Sequence, residues 1–162
     1  MPVVSKGICQ EDLKGIEDIL RSTGFFYEFE IEIALELAEA STKTCDEESG
    51  YCWMKVTDND KIIAFANYVK NSFSVHSWDL YWIAVHQESR HKKSGSLLLK
   101  AVEEDVKRSG GKILWLDTSG RPLYAPTEAF YRRNGYILRA SLPDFYAPGD
   151  PKQVYSKTLQ DF

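Results

Sequence analysis

A strongly apolar segment that passes directly into a basic turn is the feature that most constrains this chain. Residues 79–96 read DLYWIAVHQESRHKKSGS, and the spacing of Leu98, Val102 and Val106 predicts a helix that begins near Ser94. The first turn of a helix has backbone N–H groups without helical acceptors, and the helix dipole places positive charge at the same end. This order of strand, turn and helix therefore predicts a binding site for phosphate or pyrophosphate.

Length and charge limit the remaining function classes. With 162 residues, of which 43% are hydrophobic, the chain can bury a substantial core, and we expect a single domain over residues 1–162. The formal net charge of -4 argues against a nucleic-acid partner. A surface that neutralises a run of phosphates is normally basic.

The cysteines and the apolar runs bear on cofactors and location. Cys9, Cys45 and Cys52 are an odd set without a CxxC pair, so we expect reduced thiols and neither a disulfide framework nor a zinc site. The three histidines match no spacing typical of metal ligands. No apolar run approaches the ~20 residues of a membrane span, and the first residues lack a signal-peptide pattern. We therefore expect a cytoplasmic protein without a metal or a membrane partner.

Helical patterns occur at four places along the chain. Apolar residues recur at helical spacing from Leu13 to Leu20, and Gly24 is a suitable stop for this first helix. Residues 29–41, FEIEIALELAEAS, fit both an alternating strand and a helical stripe, and their composition favours the helix. Two later helices are predicted over about 94–108 and 127–135.

Runs rich in β-branched and aromatic residues predict the strands. Asp58, Asn59 and Asp60 form a turn cluster between two such runs, which indicates a hairpin. The predicted strands cover residues 51–57, 61–69, 78–85, 112–119, 136–142 and 152–159. Between the last two, the segment PDFYAPGDP over 143–151 is predicted to be a loop.

Four motifs in this order resemble the GNAT N-acetyltransferase superfamily. The turn Arg90-His91-Lys92-Lys93-Ser94-Gly95 is similar to the family's pyrophosphate loop, in which a Gln or Arg precedes two residues, Gly, one residue and Gly or Ala. FYRRNGY over 130–136 resembles the family's late helix, LWLDTS over 114–119 its fifth strand, and YAPGD over 146–150 its closing hairpin. The resemblance implies an α/β (α+β) fold with a mixed, mostly antiparallel central sheet of about seven strands flanked by about four helices.

The same resemblance implies an activity. Members of the superfamily move an acetyl group from acetyl-CoA to an amine by direct transfer in a ternary complex. The expected acceptor is a primary amine of a small molecule or a peptide, and a homodimer is a further expectation. The alternative is a non-catalytic acyl-CoA-binding regulatory domain, which the replacement of the loop's first glycine by Lys93 favours.

The resemblance also assigns a set of residues to acetyl-CoA. In the loop these are Arg90, His91, Lys92, Lys93, Ser94, Gly95 and Ser96. We expect Lys93 to keep helical dihedrals and to add a charge contact, although a solvated basic helix start is the alternative for the whole turn. The strand residues Ile83, Ala84 and Val85 are expected to pair with the pantetheine arm, and Thr118, Tyr124 and Thr127 to follow its path. For Thr127 an N-cap role is equally open.

Two residues carry the expected proton transfers. Asp79 lies six residues before Val85, where histone-acetylating relatives place a catalytic Glu, and is the candidate base for the amine. Tyr131 matches the family's tyrosine that protonates the leaving thiolate. A surface acid and a helix-core aromatic are the respective alternatives.

Aromatic residues predict the acceptor pocket. The candidates are Phe26, Tyr27, Tyr81 and Tyr146. Large aromatic residues are more often core than pocket. Because side chains alternate along a strand, at most one of Tyr81 and Trp82 can face the acceptor.

Overall fold

Seven β-strands and four α-helices form in the part of the chain that this computed structural model describes, residues 1–44 and 50–162. The strands are β1 Val3–Lys6, β2 Tyr51–Asp58, β3 Lys61–Lys70, β4 Ser77–Val85, β5 Ile113–Ser119, β6 Ile137–Ala147 and β7 Asp150–Thr158. The helices are α1 Leu13–Thr23, α2 Glu28–Ser41, α3 Ser94–Arg108 and α4 Ala125–Arg133. Short 3₁₀ segments cover Gln10–Asp12, Gln87–Lys92 and Pro122–Tyr124.

The strands form one mixed sheet in the order β1-β2-β3-β4-β5-β7-β6. The pairs β1–β2, β2–β3, β5–β7 and β6–β7 are antiparallel, and β4 runs parallel to β5. This confirms the predicted fold class, a mostly antiparallel central sheet with flanking helices. None of the helices in the described ranges is long and apolar enough to cross a membrane.

The structure decides one ambiguous segment and confirms the predicted hairpin. Residues 29–41 are helical within α2, where the Tyr27 N–H donates to Glu30 Oε1 at 2.9 Å and so caps the first turn. The β2–β3 hairpin turns on Asn59 and Asp60, whose φ values are 52° and 62°. Both angles are positive, as a two-residue type I′ turn requires, and Asn and Asp tolerate this region better than most residues.

The described chain divides into two compact units. The first comprises residues 1–69 and 81–105, and its core joins α1 and α2 to β2 and β3. The buried cluster consists of Ile16, Ile19, Leu20, Ile31, Ala34, Ala38, Trp53, Ile62, Phe65 and Ala84. This apolar burial is the main stabilising contribution to the unit.

A buried polar network also belongs to the first unit. Tyr68, which is fully buried, donates its hydroxyl to Asp105 Oδ2 at 2.6 Å. Lys6 Nζ lies 3.1 Å from the same oxygen. Since a buried carboxylate is costly without partners, this network ties β1 and β3 to α3.

The second unit comprises residues 70–80 and 106–162. In its parallel pair, Asp79 lies opposite Trp115. Gly111 begins the approach to β5, and its N–H donates to the Val106 carbonyl at 2.8 Å. A Cβ at Gly111 would lie 2.5 Å from Trp78 Cδ1, so only glycine fits beside this ring.

Two predicted elements differ from the structure in their bounds. The loop predicted over 143–151 is wrong, because β6 continues to Ala147 and only Pro148 and Gly149 form the turn. Since β6 is at the edge of the sheet, Pro143 can lie within it without removing a needed hydrogen bond. Helix α4 begins at Ala125, because Pro126 in its first turn favours helical dihedrals.

Two further outcomes concern the N-terminal half. The sequence patterns missed the short strand β1, which pairs along β2. Neither Cys9 nor Cys52 forms a disulfide bond with a described residue, and Cys45 lies outside the described residues.

Candidate active site

The end of β4 leads into α3 through a short 3₁₀ segment. His86 is the N-cap of this segment, with its Nδ1 accepting a hydrogen bond from the Glu88 N–H at 3.2 Å. The His86 N–H donates to the Ile63 carbonyl at 2.8 Å, which anchors the turn to β3. The side chain of His86 therefore has a capping role.

Lys93 joins the 3₁₀ segment to α3 in a left-handed conformation, with φ 59° and ψ 19°. The prediction that Lys93 keeps helical dihedrals is wrong. The chain needs one left-handed residue to reverse from the 3₁₀ segment into α3, and this is the conformation that glycine adopts without cost. A residue with a Cβ pays about 1–2 kcal/mol for it.

The start of α3 presents backbone amides and one buried hydroxyl. Leu97 N–H donates to the Lys93 carbonyl at 3.2 Å, so helix geometry leaves the amides of Ser94, Gly95 and Ser96 without helical acceptors. The Ser94 side chain is fully buried, and its Oγ has no hydrogen-bond partner among the described residues. Buried hydroxyls are normally paired, so this arrangement leaves a donor for an additional group.

Two positively charged side chains of this turn, Arg90 and Lys93, are described by the structure. Arg90 is exposed and its guanidinium lies 5.0 Å from the centre of the Phe25 ring. Lys93 is exposed to solvent. The side chains of His91 and Lys92 lie outside the described part of the structure.

The strand residues of the predicted cofactor set alternate as β structure requires. Ala84 is buried and belongs to the core cluster, whereas Ile83 and Val85 are only half-buried. Ile83 and Val85 therefore retain some accessible surface on the face of β4 opposite Ala84.

Tyr131 is a buried tyrosine on α4 with 5% of its surface exposed. Its ring packs against Phe130, Tyr136 and Tyr155 at centroid distances of 5.5, 6.0 and 6.1 Å. Its hydroxyl forms no hydrogen bond with a described residue, and burial raises the pKa of that hydroxyl well above its ordinary value. Tyr131 is therefore a protonated donor at neutral pH.

Asp79 lies on β4 and is half-buried. Its Oδ2 accepts a hydrogen bond from Asn71 Nδ2 at 2.9 Å. Asn71 was missed by the sequence analysis, although its place in the turn-forming run NSFS is a signal for a side chain that bonds locally.

The residues after β5 and at the start of α4 have mixed roles. Thr118 is buried, and Tyr124 is the N-cap residue of α4 with the Arg121 guanidinium 5.5 Å from its ring. Thr127 is the third residue of α4, so the alternative that it is an N-cap is wrong. Ser119 donates to Asp150 Oδ1 at 2.5 Å, which commits its hydroxyl to the β5–β7 framework.

The predicted acceptor residues differ in exposure. Phe26 packs on Trp82, with ring centroids 5.3 Å apart, and contacts the core of the first unit. Tyr27 is exposed and stacks on Phe29, and Tyr81 is exposed beside Tyr51. In the second unit, Tyr146 is also exposed. Tyr27, Tyr81 and Tyr146 are thus accessible, whereas Phe26 is partly structural.

Comparison with known proteins decides the family. The sequence profile of the acetyltransferase (GNAT) family matches residues 6–136 of the chain. The protein is a GNAT acetyltransferase. None of the curated proteins compared with this GNAT enzyme matches its sequence.

Solved structures agree with this assignment. A protein assigned to the GNAT acetyltransferase family from Desulfovibrio desulfuricans is 32% identical to this enzyme, with a TM-score of 0.94 over 99% of this chain and 100% of that one. An aminoglycoside 6'-N-acetyltransferase complexed with coenzyme A has 18% identity and a TM-score of 0.78 over 99% and 98% of the two chains. The ribosomal-protein-S18-alanine N-acetyltransferase from Escherichia coli has 19% identity and a TM-score of 0.77 over 100% and 96%. The last two likenesses concern the fold.

These comparisons confirm the predicted resemblance and the prediction that the chain is an N-acetyltransferase. Within residues 1–44 and 50–162, no three His, Cys, Asp or Glu side chains are placed to hold a metal ion.

The left-handed conformation of Lys93 leads to a stability prediction. Lys93→Gly and Lys93→Ala both remove the ammonium group, but only glycine relieves the backbone strain. We expect the glycine variant of this GNAT enzyme to exceed the alanine variant by about 1 kcal/mol in free energy of unfolding. Urea denaturation checks this, and equal midpoints for the two variants would contradict it.

Proposed function

We propose that this GNAT enzyme transfers the acetyl group of acetyl-CoA to a primary amine, by direct attack in a ternary complex. The observation that carries the proposal is the buried Ser94 hydroxyl without a described partner, beside the amides that begin α3. Such a donor set suits a phosphate group. The aminoglycoside 6'-N-acetyltransferase of similar fold, which was determined with coenzyme A, supports the same ligand.

The pyrophosphate of acetyl-CoA would be held at the start of α3. The amides of Ser94, Gly95 and Ser96 and the Ser94 hydroxyl would donate to its oxygens, while Arg90 and Lys93 supply positive charge. For His91 and Lys92 we propose the same charged environment from the sequence alone. The thioester supplies an activated acetyl group.

Backbone and neutral side chains would hold the remainder of the molecule. We propose that main-chain groups of Ile83, Ala84 and Val85 bind the pantetheine arm, and that a strand N–H stabilises negative charge developing on the acetyl oxygen. Thr118, Tyr124 and Thr127 are proposed to follow the same arm.

Asp79 is proposed to accept the amine proton. An alkylamine has a pKa of about 10.4 and is protonated at neutral pH, so a base is needed before its nitrogen can attack. The attack forms the C–N bond and breaks the C–S bond. Asp79, directly or through one water molecule, takes the proton that the nitrogen loses.

Tyr131 is proposed to donate a proton to the sulfur that leaves. The hydroxyl stays protonated because burial of Tyr131 raises its pKa, and it donates no hydrogen bond to a described residue. An acceptor that starts as an ammonium ion loses two protons in all, one before the attack and one as the amide forms. The thiolate takes up one proton, from Tyr131, so the net reaction releases one proton to solvent.

The exposed face of α2 favours a cationic acceptor. Glu32 and Glu36 are exposed, one turn apart, and neither forms an ion pair with another described residue. Phe29 and Ile33 form an exposed apolar row beside them, with Tyr27 stacked on Phe29. We propose that the acceptor amine belongs to a cationic small molecule or a basic peptide, and that Phe26, Tyr27, Tyr81 and Tyr146 contact it.

The edge strand β6 supports a homodimer. Every residue of β6 is exposed, including Ile137, Leu138 and Leu142. An unpaired edge with apolar side chains is a template for another strand. We propose that two copies pair through this edge, and that the chain acts as one GNAT domain in the cytoplasm.

The activity is tested by the release of free thiol from acetyl-CoA. We expect release only with a suitable amine, from a panel of polyamines, amino sugars and basic peptides with free α-amines or lysines. Thermal stabilisation by acetyl-CoA without release with any amine would instead identify the non-catalytic binding domain. Asp79→Asn is the matched control because it removes the proposed base but keeps the side-chain size. Its release of thiol should be at least about tenfold slower than that of the unmodified enzyme.

Tyr131→Phe should lower kcat by about 10²-fold or more while acetyl-CoA affinity changes less than about twofold. The phenyl ring keeps the aromatic packing, and only the hydroxyl is lost, which has no partner among the described residues. Steady-state kinetics with calorimetry of acetyl-CoA binding measure both quantities. Tyr136→Phe, a ring neighbour, is the control, and unchanged turnover in Tyr131→Phe would remove the assignment.

Ile137→Lys should convert the dimer to a monomer, because a charge on an edge strand prevents pairing. Ile33→Lys is the matched control, since Ile33 is 54% exposed and Ile137 is 55% exposed. Light scattering after size-exclusion chromatography gives the mass. A monomeric unmodified protein, or a dimeric Ile137→Lys, would contradict the proposed interface.

A further inference from the structure

Asn71 makes four hydrogen bonds with described residues at the start of the loop between β3 and β4, two of them through its side chain. Its N–H donates to the Ser77 carbonyl at 3.0 Å, and its Oδ1 accepts from the Phe73 N–H at 2.9 Å. Its Nδ2 donates to Asp79 Oδ2 at 2.9 Å. One side chain therefore links the loop to the carboxylate on β4.

These contacts determine which way the Asn71 amide points. The Phe73 N–H can only donate, so the atom facing it must be the amide oxygen. The amide nitrogen must then face Asp79, where it can only donate. Asn71 thus offers the Asp79 carboxylate a donor in a fixed orientation and cannot exchange roles without losing the Phe73 contact.

The loop that carries Asn71 has further local hydrogen bonds. Ser74 Oγ accepts from the Ser77 N–H at 3.0 Å and from the His76 N–H at 3.3 Å. The Ser74 N–H donates to the Asn71 carbonyl at 3.3 Å. Since the loop is held by its own side chains, the donor on Asn71 has a defined position relative to β4.

Only one oxygen of the Asp79 carboxylate accepts a hydrogen bond from a described residue. Oδ2 accepts from Asn71, whereas Oδ1 has no hydrogen-bond partner among the described residues. A carboxylate held through one oxygen cannot rotate freely, because rotation exchanges the two oxygens and breaks that bond. Oδ1 is then the atom left to accept a proton.

We propose that Asn71 is a positioning residue for acetyl transfer, which holds Asp79 through Oδ2 so that Oδ1 takes the proton of the acceptor amine. The inference rests on the proposed function, in which Asp79 is the base. Asn71 does not contact the reacting atoms and acts through Asp79 alone. A base needs a defined orientation to be efficient in proton transfer.

Two substitutions separate this role from a purely structural one. Asn71→Ser retains a short oxygen that can accept from the Phe73 N–H, but it is too short to reach Asp79. Asn71→Ala loses both contacts. We expect both variants to lower kcat by about tenfold with KM within about twofold. A structural role alone would leave Asn71→Ser close to the unmodified enzyme.

The acceptor's basicity provides a second readout. At pH 7 an α-amine, with a pKa of about 7.7–8.0, needs less help in losing its proton than an alkylamine of about 10.4. The loss of kcat in Asn71→Ser should therefore be about tenfold with the alkylamine and at most about threefold with the α-amine. Ser74→Ala, in the same loop, should show no such difference. An equal loss with both amines would overturn the proposal.

The Asp79→Asn background distinguishes failure of this inference from failure of the proposed function. If Asn71 acts through Asp79, then Asn71→Ser should cause no further loss of kcat in Asp79→Asn. A normal kcat in Asn71→Ser, with a low kcat in Asp79→Asn, would overturn only the role of Asn71. A normal kcat in Asp79→Asn would overturn the base assignment and this inference with it.

Discussion

The turn from β4 into α3 is the constraint on which the candidate site depends. A chain that leaves a strand and enters a helix through a 3₁₀ segment needs one residue of positive φ, and here that residue is Lys93. The reversal leaves three amides and the Ser94 hydroxyl at the beginning of α3 without described acceptors. The backbone cost at Lys93 therefore maintains a group of donors suited to an anion, and the lysine adds a charge that glycine cannot provide.

The hydroxyl groups of the second unit differ in whether they have a described hydrogen-bond partner, and this separates structural residues from candidates for catalysis. The Ser119 hydroxyl donates to Asp150 Oδ1, and the Tyr155 hydroxyl donates to Glu128 Oε1 at 2.5 Å. Tyr131 lies beside Tyr155 in the same aromatic cluster but has no described partner for its hydroxyl. A hydroxyl without a described partner is a better candidate for contact with a substrate than one that already donates to a neighbouring carboxylate.

The aromatic residues likewise fall into two groups, those that pack on the core and those that are exposed to solvent. Phe26 packs on Trp82 and adds to the core, whereas Tyr27 lies in solvent on Phe29, beside the acidic row of α2. An apolar surface that adjoins carboxylates without a described ion-pair partner suits a molecule with both apolar and cationic groups. The acidic character of the whole chain has the same sign as this local surface, and it would strengthen the attraction of the cationic amine that we propose as acceptor.

Local periodicity and adjacent residues were enough to predict the strand-turn-helix order from Asp79 to Ser96. The family and the fold class were predicted from the resemblance of four short motifs to those of the GNAT superfamily. The sequence by itself also determined the hairpin at Asn59 and Asp60, where turn chemistry is local. Only the tertiary structure decided the left-handed conformation of Lys93, the extension of β6 to Ala147, and the bond from Asn71 to Asp79. Each of these depends on how separate segments meet, and the pairing of distant backbone and side-chain groups leaves no pattern in a single stretch of sequence.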